Sequence, residues 1–371
     1  MSFQRSISKN FFLNSLVGLI PVSYIAGNLI LNLNVLLIIV ISIFFFRLEI
    51  FKLKLNLIDK LILILSLYII INGIINNFFN FNFNDAPDQY VIIKKSILYL
   101  RFLILYFVIK FLIEKNILDF KFIFLCFAAA CLFVSIDVLI QYFFGKDIFG
   151  YEGGDRRLGG PFGDEYIAGS YIQRFSIFLI FSLILFLFNY RTWKYQIYTL
   201  IALAILSISV LLAGNRVPLF LFILILALTF FYKKNLRIML TIVTFLFLSS
   251  FTYLINTNKQ FESHFKNFAR NSNEIGNYFV DRFVFLKEKN MINVHIKELE
   301  SGILTWEQNK LFGGGIRSFY FNCSNINKKD FNKYIGSCNR HPHNYYLEIA
   351  TELGIFGLII VLSIFFLTLF R

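Results

Sequence analysis

With 371 residues, 57% of them hydrophobic and only 16% charged, the chain carries more apolar surface than a soluble fold of its length can bury. The formal net charge of +14 does not point to a nucleic-acid partner, because the basic residues form no single stripe on a soluble segment. The class these facts leave is an all-α, polytopic integral membrane protein. In hydrocarbon every backbone polar group must be satisfied internally, and no segment shows the alternation of a membrane β-barrel.

Apolar runs predict about ten membrane helices, near 11–27, 29–46, 61–76, 96–113, 122–144, 167–188, 196–213, 217–232, 236–255 and 345–370. Arg5 and Lys9 ahead of the first run imitate a signal peptide. No small-residue cleavage site follows, so that run is expected to be retained. The N-terminal end and alternate connections holding Arg5, Lys9, Arg47, Lys52, Lys54, Lys60, Lys110, Lys115, Lys121, Arg191, Lys194, Lys233, Lys234 and Arg237 are richer in basic residues than the others, which hold Lys94, Lys95, Lys146, Arg156, Arg157 and Arg216. The richer side is expected to face the cytoplasm, with both termini there.

One membrane domain is expected over 1–371, without internal repeats, and two outer segments interrupt it. Residues 145–166 are polar and Gly-rich, and their adjacent Asp164 and Glu165 read as solvated turn residues. Residues 256–344 form the large outer loop. Within it Phe279, Phe283, Leu286, Ile296, Leu299, Ile303 and Leu304 fall at helical spacing until Gly313-Gly314-Gly315 ends the helix. Such a segment can lie over the membrane as a lid or form the floor of a substrate cleft.

Candidate chemistry gathers on this outer side. Arg216, in Gly214-Asn215-Arg216-Val217-Pro218, runs against the positive-inside tendency, and a guanidinium fork suits phosphate. Arg156, Arg157, Arg174, Arg282 and Arg317 lie on or near the same face, so the expectation is a cationic outer vestibule for an anionic headgroup. Cys323 and Cys338 share the outer loop and are disulfide candidates, whose closure would stabilise the loop by about 3 kcal/mol in the chain-entropy model. Histidine is scarce, four residues in all, yet His341 and His343 stand two apart where the last span begins. Imidazole exchanges protons near neutral pH, and Asn344 is placed to cap the helix that follows. Gly354 and Gly357 share a face of that helix, where another helix can pack closely. Glu348 and Glu352 share a face as well, Glu352 well inside the span, where a carboxylate is normally paired. No zinc-type spacing and no phosphate-cradling loop occur, so neither metal nor cofactor is expected.

Four features together resemble the O-antigen ligase and O-antigen polymerase superfamily of bacterial envelope glycosyltransferases, over roughly 150–360. His343-Asn344, nine residues, and Gly354-Ile355-Phe356-Gly357 is similar to the ligase signature. Gly313 through Phe319 resembles the Gly-rich turn ahead of it, and Gly214-Asn215-Arg216 the small-residue-plus-Arg motif at the outer end of a span. Gly159 through Gly169 resembles the Gly-rich approach to a central span. The resemblance implies metal-independent transfer of an undecaprenyl-pyrophosphate-linked oligosaccharide at the outer face of the inner membrane. The acceptor hydroxyl would belong to lipid A–core (ligase) or to a second lipid-linked glycan (polymerase). It implies His343 as general base and Arg216 on the pyrophosphate, with Arg317 or Arg282 as a second contact; Arg174, Arg157, His341 and Asn344 are expected to bind substrate as part of the cationic outer face. Cys323 and Cys338, with the histidines directly after them, resemble polymerases more than ligases. Family members often continue for further spans, whereas this sequence ends at Arg371. The alternative is a transporter of a small anion or glycan-related solute. Transporters place ionisable groups near the midplane and show paired halves; here the distinctive charges gather at one surface and no halves repeat.

Overall fold

A computed structural model describes residues 2–79, 90–154, 157–187, 192–280, 282, 293–323, 326 and 338–370. The fold is all-α and polytopic, with fourteen α-helices and no strand among the described residues. Eight of the helices are long and apolar enough to cross a membrane. The remaining two expected spans take other forms. Arg216–Tyr232 is helical but has only 17 residues, and the first run is divided around Leu19 and Pro21 into α1 (Ser2–Gly18) and α2 (Ile20–Ile25). Proline tolerates the first turn of a helix but not its interior, so the division falls there.

By internal contacts the chain forms two compact units, Met1–Arg47 with Lys110–Phe268, and Leu48–Ile109 with Ala269–Arg371. The first unit is built round α6 (Phe120–Phe144), α7 (Ala168–Ser182), α8 (Trp193–Leu212), α9 (Arg216–Tyr232) and α10 (Arg237–Thr257). Small residues let α6 approach its neighbours, as membrane helices require in place of a hydrophobic driving force. Cys131 Sγ lies 3.6 Å from the Ile172 carbonyl, and Ser209 Oγ donates to the Ser135 carbonyl at 2.7 Å. Val134, Val138, Ile172, Leu206, Val210 and Phe222 complete a dry core. Asp119 caps the start of α6, accepting from Phe122 N–H, and left-handed Gly145 ends it.

The second unit holds α4 (Leu57–Phe79), most of α5 (Val91–Glu114), α12 (Val294–Gln308), α13 (Ser318–Asn322) and α14 (Tyr345–Leu369). Helix α4 opens on a reciprocal cap, with Asn56 N–H donating to Asp59 and Asp59 N–H donating back to Asn56. Buried Asp59 also accepts from the Tyr106 hydroxyl at 2.6 Å. Of the helical stretch expected over 279–310, α11 (Lys259–Val280) and α12 carry the described parts. Phe283 and Leu286, like Arg156, lie outside the described residues.

Candidate functional site

The four sequence motifs meet in two pairs, one pair in each unit. In the first unit Gly214 ends α8 in a left-handed turn (φ 69°) and Asn215 opens α9, its side-chain N–H donating to the Tyr166 carbonyl at 2.9 Å. A Cβ on Gly169 would meet the Asn215 side chain at 2.7 Å, so the Gly-rich approach to α7 and the Gly-Asn-Arg turn require each other. Above that approach, Gln141 binds the Tyr151 carbonyl and accepts from Gly160 N–H, which ties the Gly-rich loop to the end of α6. Arg216 then stands at the first turn of α9. Its Nε donates to His264 Nε2 at 3.0 Å, its Nη2 lies 3.2 Å from Nδ1, and its guanidinium sits over the Phe268 ring at 5.3 Å. His264 is buried and also lies 3.1 Å from the Gly214 carbonyl. The guanidinium is thus steadied by an imidazole and an aromatic face. Arg157 and Arg174 belong to the same unit, Arg174 on the exposed side of α7.

In the second unit α14 is broken in its middle. Gly354 has φ 65° and ψ −168°, a conformation essentially confined to glycine, and the intrahelical hydrogen bonds across it are exchanged for others. Ile355 and Phe356 N–H groups, which an unbroken helix would give to Thr351 and Glu352, donate to the Lys310 and Leu311 carbonyls at 3.0 and 3.3 Å. The Thr351 and Glu352 carbonyls accept from Gly314 and Gly315 at 2.9 and 2.8 Å. Helix α4 supplies the rest. The Tyr68 hydroxyl lies 2.9 Å from the Leu353 carbonyl and 2.8 Å from that of Phe312, which Asn72 also reaches, and Asn76 donates to the Gly313 carbonyl at 3.2 Å. Irregular backbone at membrane depth survives only where protein satisfies it, and here every group named has a partner. This corrects the reading of Gly354 and Gly357 as a smooth face for a neighbouring helix. A Cβ on Gly354 would strike the Leu311 carbonyl, and one on Gly357 would strike Leu353 of its own helix, so both glycines serve the break. Glu352 is paired there, its carboxylate accepting from the Arg317 backbone N–H at 2.6 Å, while the Arg317 side chain is exposed.

Outside the break lies the histidine segment, pinned at both ends. Cys323 and Cys338 form a disulfide that packs with Phe319, Ile326 and Leu304. Six residues later Asn344 caps α14, accepting from Tyr346 and Leu347 N–H at 3.0 and 3.1 Å. Between them His343 takes φ 51°, and its ring meets His341 edge to face at 4.3 Å. Gly302 of α12 lets this segment lie close, since a Cβ there would meet Leu347 and Pro342. Glu298, one turn earlier on the same face, lies with Oε1 3.6 Å from His343 Nε2 and 3.2 Å from Asn339 Nδ2, and with Oε2 3.4 Å from His295.

Arg282 does not turn its fork to an open face. Its Nε and Nη2 donate to the two oxygens of Glu300, and Nη1 lies 3.6 Å from Glu307. The Tyr278 hydroxyl joins them at 2.5 Å from Glu300. Hydrogen bonding to Glu300 raises the guanidinium pKa further, and burial, reinforced by Glu300, raises that of the Tyr278 hydroxyl. The structure places Arg282, which the sequence suggested as a substrate contact, in a bidentate ion pair with Glu300 of α12. Glu300→Ala would leave a guanidinium that is only 25% exposed without its main counter-charge. Loss of such a pair costs about 3 kcal/mol, which thermal unfolding of the detergent-solubilised chain will read.

His264, Glu298, Glu300, Tyr68, Asn72 and Asn76 did not emerge from the sequence alone. The asparagines had a signal, two amides four residues apart inside an apolar span, where polar groups are expensive unless paired. Among the described residues no group of three or more His, Cys, Asp or Glu side chains is arranged to hold a metal ion. Residues 201–362, which contain Arg216 and the whole histidine segment, match the family model described as O-antigen ligase. No curated protein and no solved structure matches the chain.

Proposed function

From a chain that carries an O-antigen ligase domain over residues 201–362, and with it glycosyltransferase-type chemistry on lipid-linked glycans, we propose a metal-independent enzyme with His343 as its general base. It transfers a glycan from undecaprenyl pyrophosphate to a sugar hydroxyl at the outer face of the inner membrane, with both termini cytoplasmic and 256–344 periplasmic. The carrying observation is the tethering of the segment that bears His343, between a disulfide on one side and a capped helix on the other. A base held in place by both ends of a short segment suits abstraction of one proton from a hydroxyl. Arg216, half-buried and steadied by His264 and Phe268, is the group proposed to grip the pyrophosphate and stabilise its leaving charge. A cavity of about 740 Å³ beside the Gly-rich turn is walled by Tyr68, Ile71, Ile75, Leu311 and Phe312, with Asn72, Asn76 and the 307–310 segment, Glu307 and Lys310 among it, supplying polar groups. Mostly apolar walls with a few polar groups suit the lipid portion of such a substrate.

The acceptor is proposed to be a second lipid-linked glycan, making the enzyme a polymerase, and the proposal rests on the disulfide standing directly before the histidines. Deleting the gene separates the two reactions. Loss of a polymerase leaves lipid A–core carrying a single repeat. Loss of a ligase leaves bare core and full-length polymer on the lipid carrier, and that pattern on a gel would reassign the acceptor.

A further inference from the structure

Resting on the assignment of His343 as base, we infer that Glu298 is a positioning residue that orients the His343 imidazole and stabilises the positive charge the ring gains. Both polar contacts described for His343 fall on Nε2, at 3.6 Å from Glu298 Oε1 and 3.5 Å from Asn339 Nδ2. The ionised carboxylate accepts from the Asn339 amide, and it stands where an Nε2–H would face it once the ring is doubly protonated. Glu298 is itself held from several directions. Its side chain is 14% exposed against 48% for His343, and Asn339 and His295 lie within hydrogen-bond range of its two oxygens. The ring of His341, perpendicular at 4.3 Å, limits rotation of the His343 ring from the other side.

In the transfer, the unprotonated ring nitrogen takes the hydroxyl proton as the acceptor oxygen bonds to the anomeric carbon. The bond from that carbon to the pyrophosphate oxygen breaks, and its electron pair leaves with the pyrophosphate. The imidazolium formed then faces the Glu298 carboxylate, which stabilises the charge where it develops. A contact that strengthens only as charge appears acts on turnover rather than on substrate binding.

The test uses the full chain in lipid bilayers, with lipid-linked glycan extracted from cells that lack the gene. Glu298→Gln keeps the size of the side chain but removes its charge, and kcat is expected to fall by about 10–100-fold with KM within about twofold. Glu298→Asp should recover part of the lost turnover. Wild-type turnover in Glu298→Gln, or a loss confined to KM, overturns the inference. So does a loss that tracks a fall in thermal stability. Should the Gln variant not reach the membrane, Glu298→Asp alone decides: reduced kcat at unchanged KM supports the role, and wild-type kcat refutes it. Transfer persisting in His343→Ala would instead remove the base on which the inference stands, whatever Glu298 does.

Discussion

His343→Ala is expected to leave the protein folded in the membrane while lowering glycan transfer by about 10²–10⁴-fold, the range that a positioned general base contributes. The side chain is 48% exposed and belongs to neither the Tyr278 nor the Phe319 cluster, so its removal opens no cavity. Its φ of 51° is a region that histidine enters more readily than alanine, so the variant carries a backbone cost of about 1–2 kcal/mol. That cost is small against the stability of a folded domain, and the disulfide and the Asn344 cap continue to hold the segment. Cells carrying the variant should therefore contain normal amounts of the protein, lose surface polysaccharide and build up lipid-linked glycan. His341→Ala is the internal comparison, since it removes a ring-edge contact while leaving the His343 segment pinned; a milder loss is expected there. Normal polysaccharide in His343→Ala would remove the histidine from the mechanism, and a protein missing from the membrane would mean its role is structural.

Much of the fold was legible because the bilayer makes long apolar runs unambiguous, and the expected spans near 122–144 and 345–370 coincide with α6 and α14. The Asn344 cap was legible for a local reason: an amide immediately before an apolar run satisfies the free N–H groups at its start. What escaped was long-range. Arg282 reads as a free cation on an amphipathic stretch until Glu300 is brought under it, and Arg216 reads as unsupported until His264 folds back from α11. Glu298 offers no sequence signal of its own. Its position acquires meaning only through Gly302, one turn later, where the missing side chain lets Pro342 and Leu347 approach. The Gly354 break escaped for a different reason. Two glycines three apart look the same on a packing face as at a backbone discontinuity, because spacing reports direction round a helix and carries no information about φ.

That difference makes Gly354 a position where a single methyl group should do severe damage to the fold. Gly354→Ala places a Cβ on a backbone at φ 65° and ψ −168°, where strain for a non-glycine residue is of order 1–3 kcal/mol. The new atom also meets main-chain atoms of Leu311 and Gly313, which cannot swing aside as a flexible side chain would. Relief by re-forming a straight α14 would return Ile355 and Phe356 N–H to Thr351 and Glu352. The carbonyls of Lys310 and Leu311 and the N–H groups of Gly314 and Gly315 would then lose their partners. Each buried unpaired backbone group costs about 1–3 kcal/mol, so that escape is worse than the strain it relieves. The variant is expected to lose several kcal/mol in thermal unfolding and to transfer no glycan, because the Glu352–Arg317 contact and the Gly-rich turn lose their anchor together. Gly276→Ala supplies the opposite case: it lies inside α11 with nothing within 4 Å of an added Cβ, and should stabilise the helix by about 0.5–1 kcal/mol. If Gly354→Ala unfolds at the wild-type temperature, the exchange of hydrogen bonds between the Gly-rich turn and the broken helix is not what holds this unit together.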